Sequence, residues 1–299
     1  MRERRVPLSN VGTSQNRENE SDCLLHALSL IQAKNMIKSD DVVVITPNFV
    51  KNIPPEYGVV TGNNTLRTLI RFIKELNPKR IVMACGSGSK ETRIVLDELG
   101  ITQLLRQESI EFIDLNHGPF TEISLNHDYP EKTKINTLLY EMTFHVSFTQ
   151  LKQHEEAVMS ACIKNVALSW PPAEEHGHPK KNCGIHKDLH GFIRSMVQII
   201  PIDLSILSTM PAMVGTGPIK GVARNAGIVI AGTDPVSVDT IGARLLGYKP
   251  QAINYLYQSI LAGVGKGKLE EIQISGLSIK DAEKAFSYAV YDQSFAIDE

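Results

Sequence analysis

Short apolar runs alternate with stretches of helical periodicity along most of the chain. Val42–Ile45 and Ile81–Ala84 are unbroken apolar runs, the pattern of strands buried on both faces. Leu24, Leu25, Leu28, Leu30 and Ile31 recur at helical spacing and predict a helix opening at Ser21 or Asp22, either of which can cap it. Leu66, Leu69, Ile70, Ile73 and Leu76 predict a second helix, closed near Asn77-Pro78, and Val95, Leu96 and Leu99 a third, ending at Gly100. A strand is expected at 110–115, an irregular stretch at 116–140, a strand at 145–148 and a polar, breaker-rich loop at 171–184. Helical spacing returns at Leu189, Phe192, Ile193, Met196 and Ile200. Strands at 204–207, 228–231 and 272–274 follow, with a helix over 253–261. Asp234-Pro235 is a favoured helix start, an acceptor at the N-cap and Pro at the first turn, and Gly247 closes that helix. Residues 1–20 are polar and aperiodic, as in a loose arm or an edge element. The alternation predicts an α/β protein with mostly parallel sheets flanked by helices. One unit over 1–299 is expected, with 21–145 and 146–299 as candidate lobes around a cleft.

Composition narrows this picture. Of 299 residues, 42% are hydrophobic and 21% charged, with 31 basic residues against 33 acidic. Without a global excess of positive charge, nucleic acid is not an expected partner, and any anion site must be a local cluster. Cys23, Cys85, Cys162 and Cys183 are far apart and form no CxxC pair, so no iron–sulfur cluster of the chain's own is expected and the thiols read as reduced. The basic opening MRERR leads into no apolar signal core, and no apolar run is long enough to span a bilayer. A cytoplasmic location without membrane contact is therefore expected.

Three segments offer chemistry. Gly86, Ser87, Gly88, Ser89 and Lys90 lie between a buried strand and a helix. Glycines there let the backbone turn tightly and approach a ligand, and helix N–H groups with Lys90 and Arg93 would favour an anion. The turn is neither a Walker loop nor a complete dinucleotide fingerprint, and it reads equally well as a tight turn with solvated basic residues. Gly215, Gly217 and Gly221 around Pro218, with Lys220 and Arg224, imply a backbone path that side chains would obstruct. The third segment holds Lys152, His154, Lys164 and Asn165, then His176, His178, His186 and His190. Imidazole serves as acid, base or metal ligand near neutral pH. Lys164 can contact an anion or act as an amine nucleophile. His176 and His178 read as solvated loop residues, whereas His154 and His186 border ordered elements. Asp239 and Arg244 read as an ion pair on a helix surface.

Taken in order, VVVITPN (42–48), QLKQH (150–154), IKNV (163–166), His186, VGTGPIKG (214–221) and AGTDPVSVDTIGARLLG (231–247) resemble the domain of unknown function 362 family. The likeness runs from about residue 40 to 265. Thr46 stands where that family usually has Lys, Ser208-Thr209 replaces its Asp-Gly, and its Thr-Gly-Val-Thr is missing after His154. Members are often associated with iron–sulfur modules, which implies a ferredoxin-like partner. The chain is also distantly similar to the nickel-pincer lactate racemase family, whose His and cofactor-tethering Lys are ten residues apart, as are His154 and Lys164. The Gly-Gly-Arg before that Lys is replaced by Ala161-Cys162-Ile163.

The combined expectation is a protein that binds a small anionic metabolite or cofactor. Gly86, Ser87, Gly88, Ser89, Lys90, Asn165, Gly215, Gly217 and Lys220 would contact it. His154, Lys164 and His186 would be catalytic, with His154 and His186 also metal ligands. The resemblances imply a transition metal or metal-organic cofactor and racemase- or epimerase-like chemistry. The other class of reading is a non-catalytic binding or redox-partner protein that docks an iron–sulfur carrier.

Overall fold

The computed structural model describes residues 2–295 and 297. Its strands are β1 (Asn10–Gln15), β2 (Val42–Pro47), β3 (Arg80–Cys85), β4 (Glu111–Asp114), β5 (Phe120–Ser124), β6 (Lys132–Asn136), β7 (Phe144–His154), β8 (Val158–Ser160), β9 (Leu204–Val214), β10 (Val222–Arg224), β11 (Ile228–Gly232) and β12 (Gln273–Gly276). Ten of them form one sheet in the order β12-β1-β11-β9-β7-β2-β3-β4, with β8 on β7 and β10 on β9, while β5 and β6 make a separate hairpin. The run β9-β7-β2-β3-β4 is parallel; β11 lies antiparallel beside β9, and β1 antiparallel to β11.

The strand runs are apolar on both faces because helices cover both faces. Val43 and Ile45 belong to one apolar cluster and Val44 to the other, and Met83 and Cys85 are likewise separated from Val82 and Ala84. One layer holds helices Glu20–Leu30, Asn63–Glu75, Thr92–Glu98 and Ile101–Gln107; the opposite layer holds Cys162–Ser169, Leu189–Ile199, Pro235–Leu245 and Asn254–Leu261. Among the described residues, no helix is long and apolar enough to cross a membrane.

Several local expectations change. The 145/146 boundary between the candidate lobes falls inside β7, the strand that joins β2 to β9. The polar N-terminal segment supplies β1, an interior strand, and its arginines are anchored. Arg2 pairs with the fully buried Asp203, Arg4 with Asp234 and Arg5 with Asp41. Asp203 also accepts the backbone N–H groups of Arg5 and His145, both at 2.7 Å. Asp203→Ala should leave those donors unpaired and cost about 2–4 kcal/mol, read as a lowered midpoint in thermal unfolding. The first helix is capped by Asn19, which accepts from Asp22 N, and not by Ser21 or Asp22. The irregular stretch 116–140 contains the β5–β6 hairpin, and β7 and β9 run well past the predicted strands, to eleven residues each.

Asp234 caps its helix as expected, accepting from Val236 N and Ser237 N. Asp239 and Arg244 do not pair with each other. Asp239 is fully buried and accepts the N–H groups of Cys162 and Ile163, so it caps the neighbouring helix, while Arg244 pairs with Glu283. Burial in an apolar layer raises the Asp239 pKa to about 7.

Candidate functional site

Beyond the carboxyl ends of β2, β3 and β7 lies a cavity of about 580 Å³. This is the position at which open parallel sheets generally place ligands. One wall is a single face of the Cys162–Ser169 helix, since Ala161, Lys164, Asn165, Leu168 and Ser169 follow helical spacing and all line the cavity. The other walls are the loop after β2 (Asn48–Lys51), the turn after β3 (Gly86, Gly88, Ser89), the end of β7 (Lys152, His154), Pro179–Lys181 with His186, and Thr216–Lys220.

Three of the lining lysines are buried: Lys152, Lys164 and Lys180. Desolvation lowers all three, with the charge of Lys164 adding to the effect on Lys152, to pKa values of about 7 for Lys152 and Lys180 and about 8 for Lys164. Lys152 donates to Val59 O at 2.8 Å. Lys180 donates to the carbonyls of Gly86, Leu168 and Ser169 at 3.0–3.3 Å, closing the end of the cavity-facing helix. Lys164 has no hydrogen-bond or ion-pair partner among the described residues, and the nearby Glu156 carboxylate only partly offsets its desolvation. Beside it, Asn165 donates to Thr46 O and Ser147 Oγ.

The two histidines have opposite proton arrangements. His154 Nδ1 accepts the N–H groups of Glu156 and Ala157, both at 3.1 Å. Burial, followed by the nearby Lys164 and Lys152 charges, drives its pKa down to about 2, so the ring is neutral with its proton on Nε2. That leaves a donor and no free lone pair, which corrects the expectation of His154 as a metal ligand or base. His186 Nδ1 lies 2.8 Å from both carboxylate oxygens of Glu156, so it donates there and its Nε2 is the free position.

The GSGSK turn departs from a phosphate cradle. Gly86 N is bound to Ser169 Oγ, Ser87 N to Thr92 Oγ1 and Ser89 N to Ser87 Oγ, so its amides are largely used internally. Ser87 is buried and donates to Val50 O. Lys90 turns away to pair with Glu98 at 2.8 Å and does not line the cavity. The glycine at 86 is required because a Cβ there would meet Asn116 Oδ1 at 2.6 Å and Ser169 O at 2.7 Å. In the second glycine loop, Gly215 N is held by Gln153 Oε1 and Gly217 O accepts Glu155 N, which docks the loop on the end of β7. Gly217 and Lys220 line the cavity; Gly215 does not.

His176, expected in solvent, is fully buried and bonds Thr133 Oγ1 at 2.8 Å. Lys180 is outside the expected site, and Lys152, part of the third segment, is not among the expected contacts. Lys152 was detectable as a lysine ending an apolar strand, whereas Lys180 sits in a polar loop next to the exposed Lys181 and carries no such signal. Thr46 and Ser208-Thr209 lie outside the cavity. Thr46 Oγ1 is 2.9 Å from His145 Nε2, Ser208 donates to the half-buried Glu20, and Thr209 donates to Ile228 O. These departures therefore change the sheet interior and not the cavity lining.

The sequence matches the family described as Domain of unknown function (DUF362) over residues 43–244. The chain belongs to this family. Every cavity wall falls within the matched span, including the Cys162–Ser169 helix and the second glycine loop. Thylakoid-associated protein sll1697 of Synechocystis sp. is 23% identical over 224 residues, covering 73% of this chain and 67% of that protein. Among solved structures, the lactate racemase apoprotein from Thermoanaerobacterium thermosaccharolyticum aligns with a TM-score of 0.40 and 15% identity. That alignment covers 70% of this chain, which spans about half (52%) of the racemase.

Proposed function

We propose that this DUF362 protein binds a small organic anion, a carboxylate or phosphate ester, in the cavity and moves a proton on it. The observation that carries the reading is Lys164, a buried ammonium on a cavity wall with no hydrogen-bond partner among the described residues. Burying such a charge alone is costly, and an anionic ligand is what would offset the cost. In this reading Lys164 anchors the anion and His154 Nε2–H donates to a ligand oxygen. His186 Nε2, oriented by Glu156, takes or returns the proton. Lys152 and Lys180 add positive potential behind the anchor.

The pH dependence follows from the lysines. Their cavity pKa values of about 7 to 8 leave them partly neutral in mildly alkaline solution. An anion favours the protonated amine, so binding takes up protons and weakens as pH rises through that range. Titration calorimetry with oxalate and with inorganic phosphate, at pH 7.5 in buffers of different ionisation enthalpy, should show net proton uptake. Affinity should fall from about pH 6.5 to about pH 9. Affinity independent of pH, or no binding by either probe, counts against the reading.

A further inference from the structure

A second cluster lies behind the β3 turn, apart from the anion cavity lining. Asp114 ends β4, His117 follows it in the next turn, and Glu91 precedes the Thr92–Glu98 helix. His117 Nε2 is 3.2 Å from Glu91 Oε2 and 3.9 Å from Asp114 Oδ2. One ligand atom from each residue fits within 4.8 Å of the others. Two ligands at ~2.1 Å from a tetrahedral ion are separated by ~3.4 Å, so a small inward movement of the exposed Glu91 and His117 side chains would bring these atoms to that spacing.

The independent observation is Asp114. Its side chain is more than nine-tenths buried, Oδ1 is bound by Thr92 Oγ1 and Asn116 N, and Oδ2 has no hydrogen-bond partner at all. The oxygen facing the histidine is therefore desolvated and unmatched. On the far side of the ring, His117 Nδ1 is 2.7 Å from Glu174 Oε1. A carboxylate there would hold the proton on Nδ1, so that an ion could take the Nε2 lone pair in place of the present contact with Glu91, the arrangement common behind metal-bound imidazoles. Glu91, Asp114 and Glu174 have no lysine or arginine ion pair within 4 Å among the described residues, and the imidazoles at the cluster are His117 and, 3.6 Å from Glu91 Oε1, His178.

We propose that Glu91, Asp114 and His117 bind a divalent transition metal of the zinc class, with Glu174 as the positioning residue. A mixed imidazole–carboxylate set with three protein ligands suits Zn2+ and leaves room for water. The ion would tie the turn after β3 to the 173–180 segment that delivers Lys180, and so brace two cavity walls.

The test is titration of the metal-stripped full chain with Zn2+, and with Co2+ followed by its visible absorption, which strengthens on four-coordination. One ion per chain is expected. Glu91→Gln and His117→Ala, both at exposed positions where folding is undisturbed, should abolish that site, and Glu174→Gln should weaken it roughly tenfold. Asp114→Asn should also abolish it, with circular dichroism checking the fold. Absence of a one-to-one isotherm, or binding that persists in Glu91→Gln and His117→Ala, overturns the proposal. Because no anion enters this experiment, its outcome is independent of the cavity reading.

Discussion

Replacing Lys164 with methionine should make the ligand-free protein more stable and its anion binding roughly 10- to 100-fold weaker, the worth of one charge-assisted hydrogen bond. The two effects share a cause. Methionine fills the same volume without a charge to desolvate, so the fold gains about 2 kcal/mol near neutral pH. The sign with pH is fixed by the depressed pKa. The folded amine releases its proton at about 8, whereas the unfolded one holds it to its ordinary 10.5. Between those values the unfolded state binds more protons, so wild-type stability rises with pH there, and the penalty is fully present below the folded pKa. Lys164→Met should remove up to about 1.4 kcal/mol per pH unit from that slope. Denaturant unfolding from pH 7 to about 10.5, beside oxalate titration, measures both. A variant that loses stability while keeping oxalate affinity would mark Lys164 as a structural residue.

Gly217→Ala should have the second large effect, acting through the backbone. A Cβ at 217 would sit 1.9 Å from Gln153 O and 2.8 Å from its carbonyl carbon. Neither is a flexible side-chain end, so the loop must leave the strand and break the Glu155 N to Gly217 O bond. The expected results are loss of anion binding, rapid proteolytic cleavage within 214–221 and a stability loss of about 1–3 kcal/mol. Gly215→Ala is the control. At φ +86° it is strained but meets no atom within 4 Å, so it should cost only about 1 kcal/mol and retain the loop's seat.

Three kinds of residue show where sequence reading succeeded and failed. Val43, Val44 and Ile45 announce a strand covered on both sides because apolarity at consecutive positions has no other economical burial in a sheet. Asp234-Pro235 announces a helix start because capping is a local matter of one acceptor and the next turn. Gly217 is conspicuous because only a close approach makes a side chain intolerable, though what approaches it was not legible. Asp239, by contrast, caps a helix 77 positions earlier in the chain, a partnership no local pattern encodes. Lys90 stands among the expected contacts and Lys180 does not, for the same reason. Lys90 finds Glu98 on the helix that follows it and leaves, while Lys180 is carried by the 173–180 segment onto the carbonyls of a distant helix.

The sequence by itself determined the parallel α/β sheet, most of its strands and helix starts, and the family, because periodicity, capping and glycine requirements act over a few residues. The tertiary structure alone decided which charges are buried and which proton each histidine carries. Lys152, Lys164 and Lys180 shift chiefly because packing removes water from them, and His154 becomes a donor because two amides of its own turn occupy Nδ1. Desolvation and hydrogen-bond partners are properties of a place in the fold, and a residue's place is known only when the chain has closed around it.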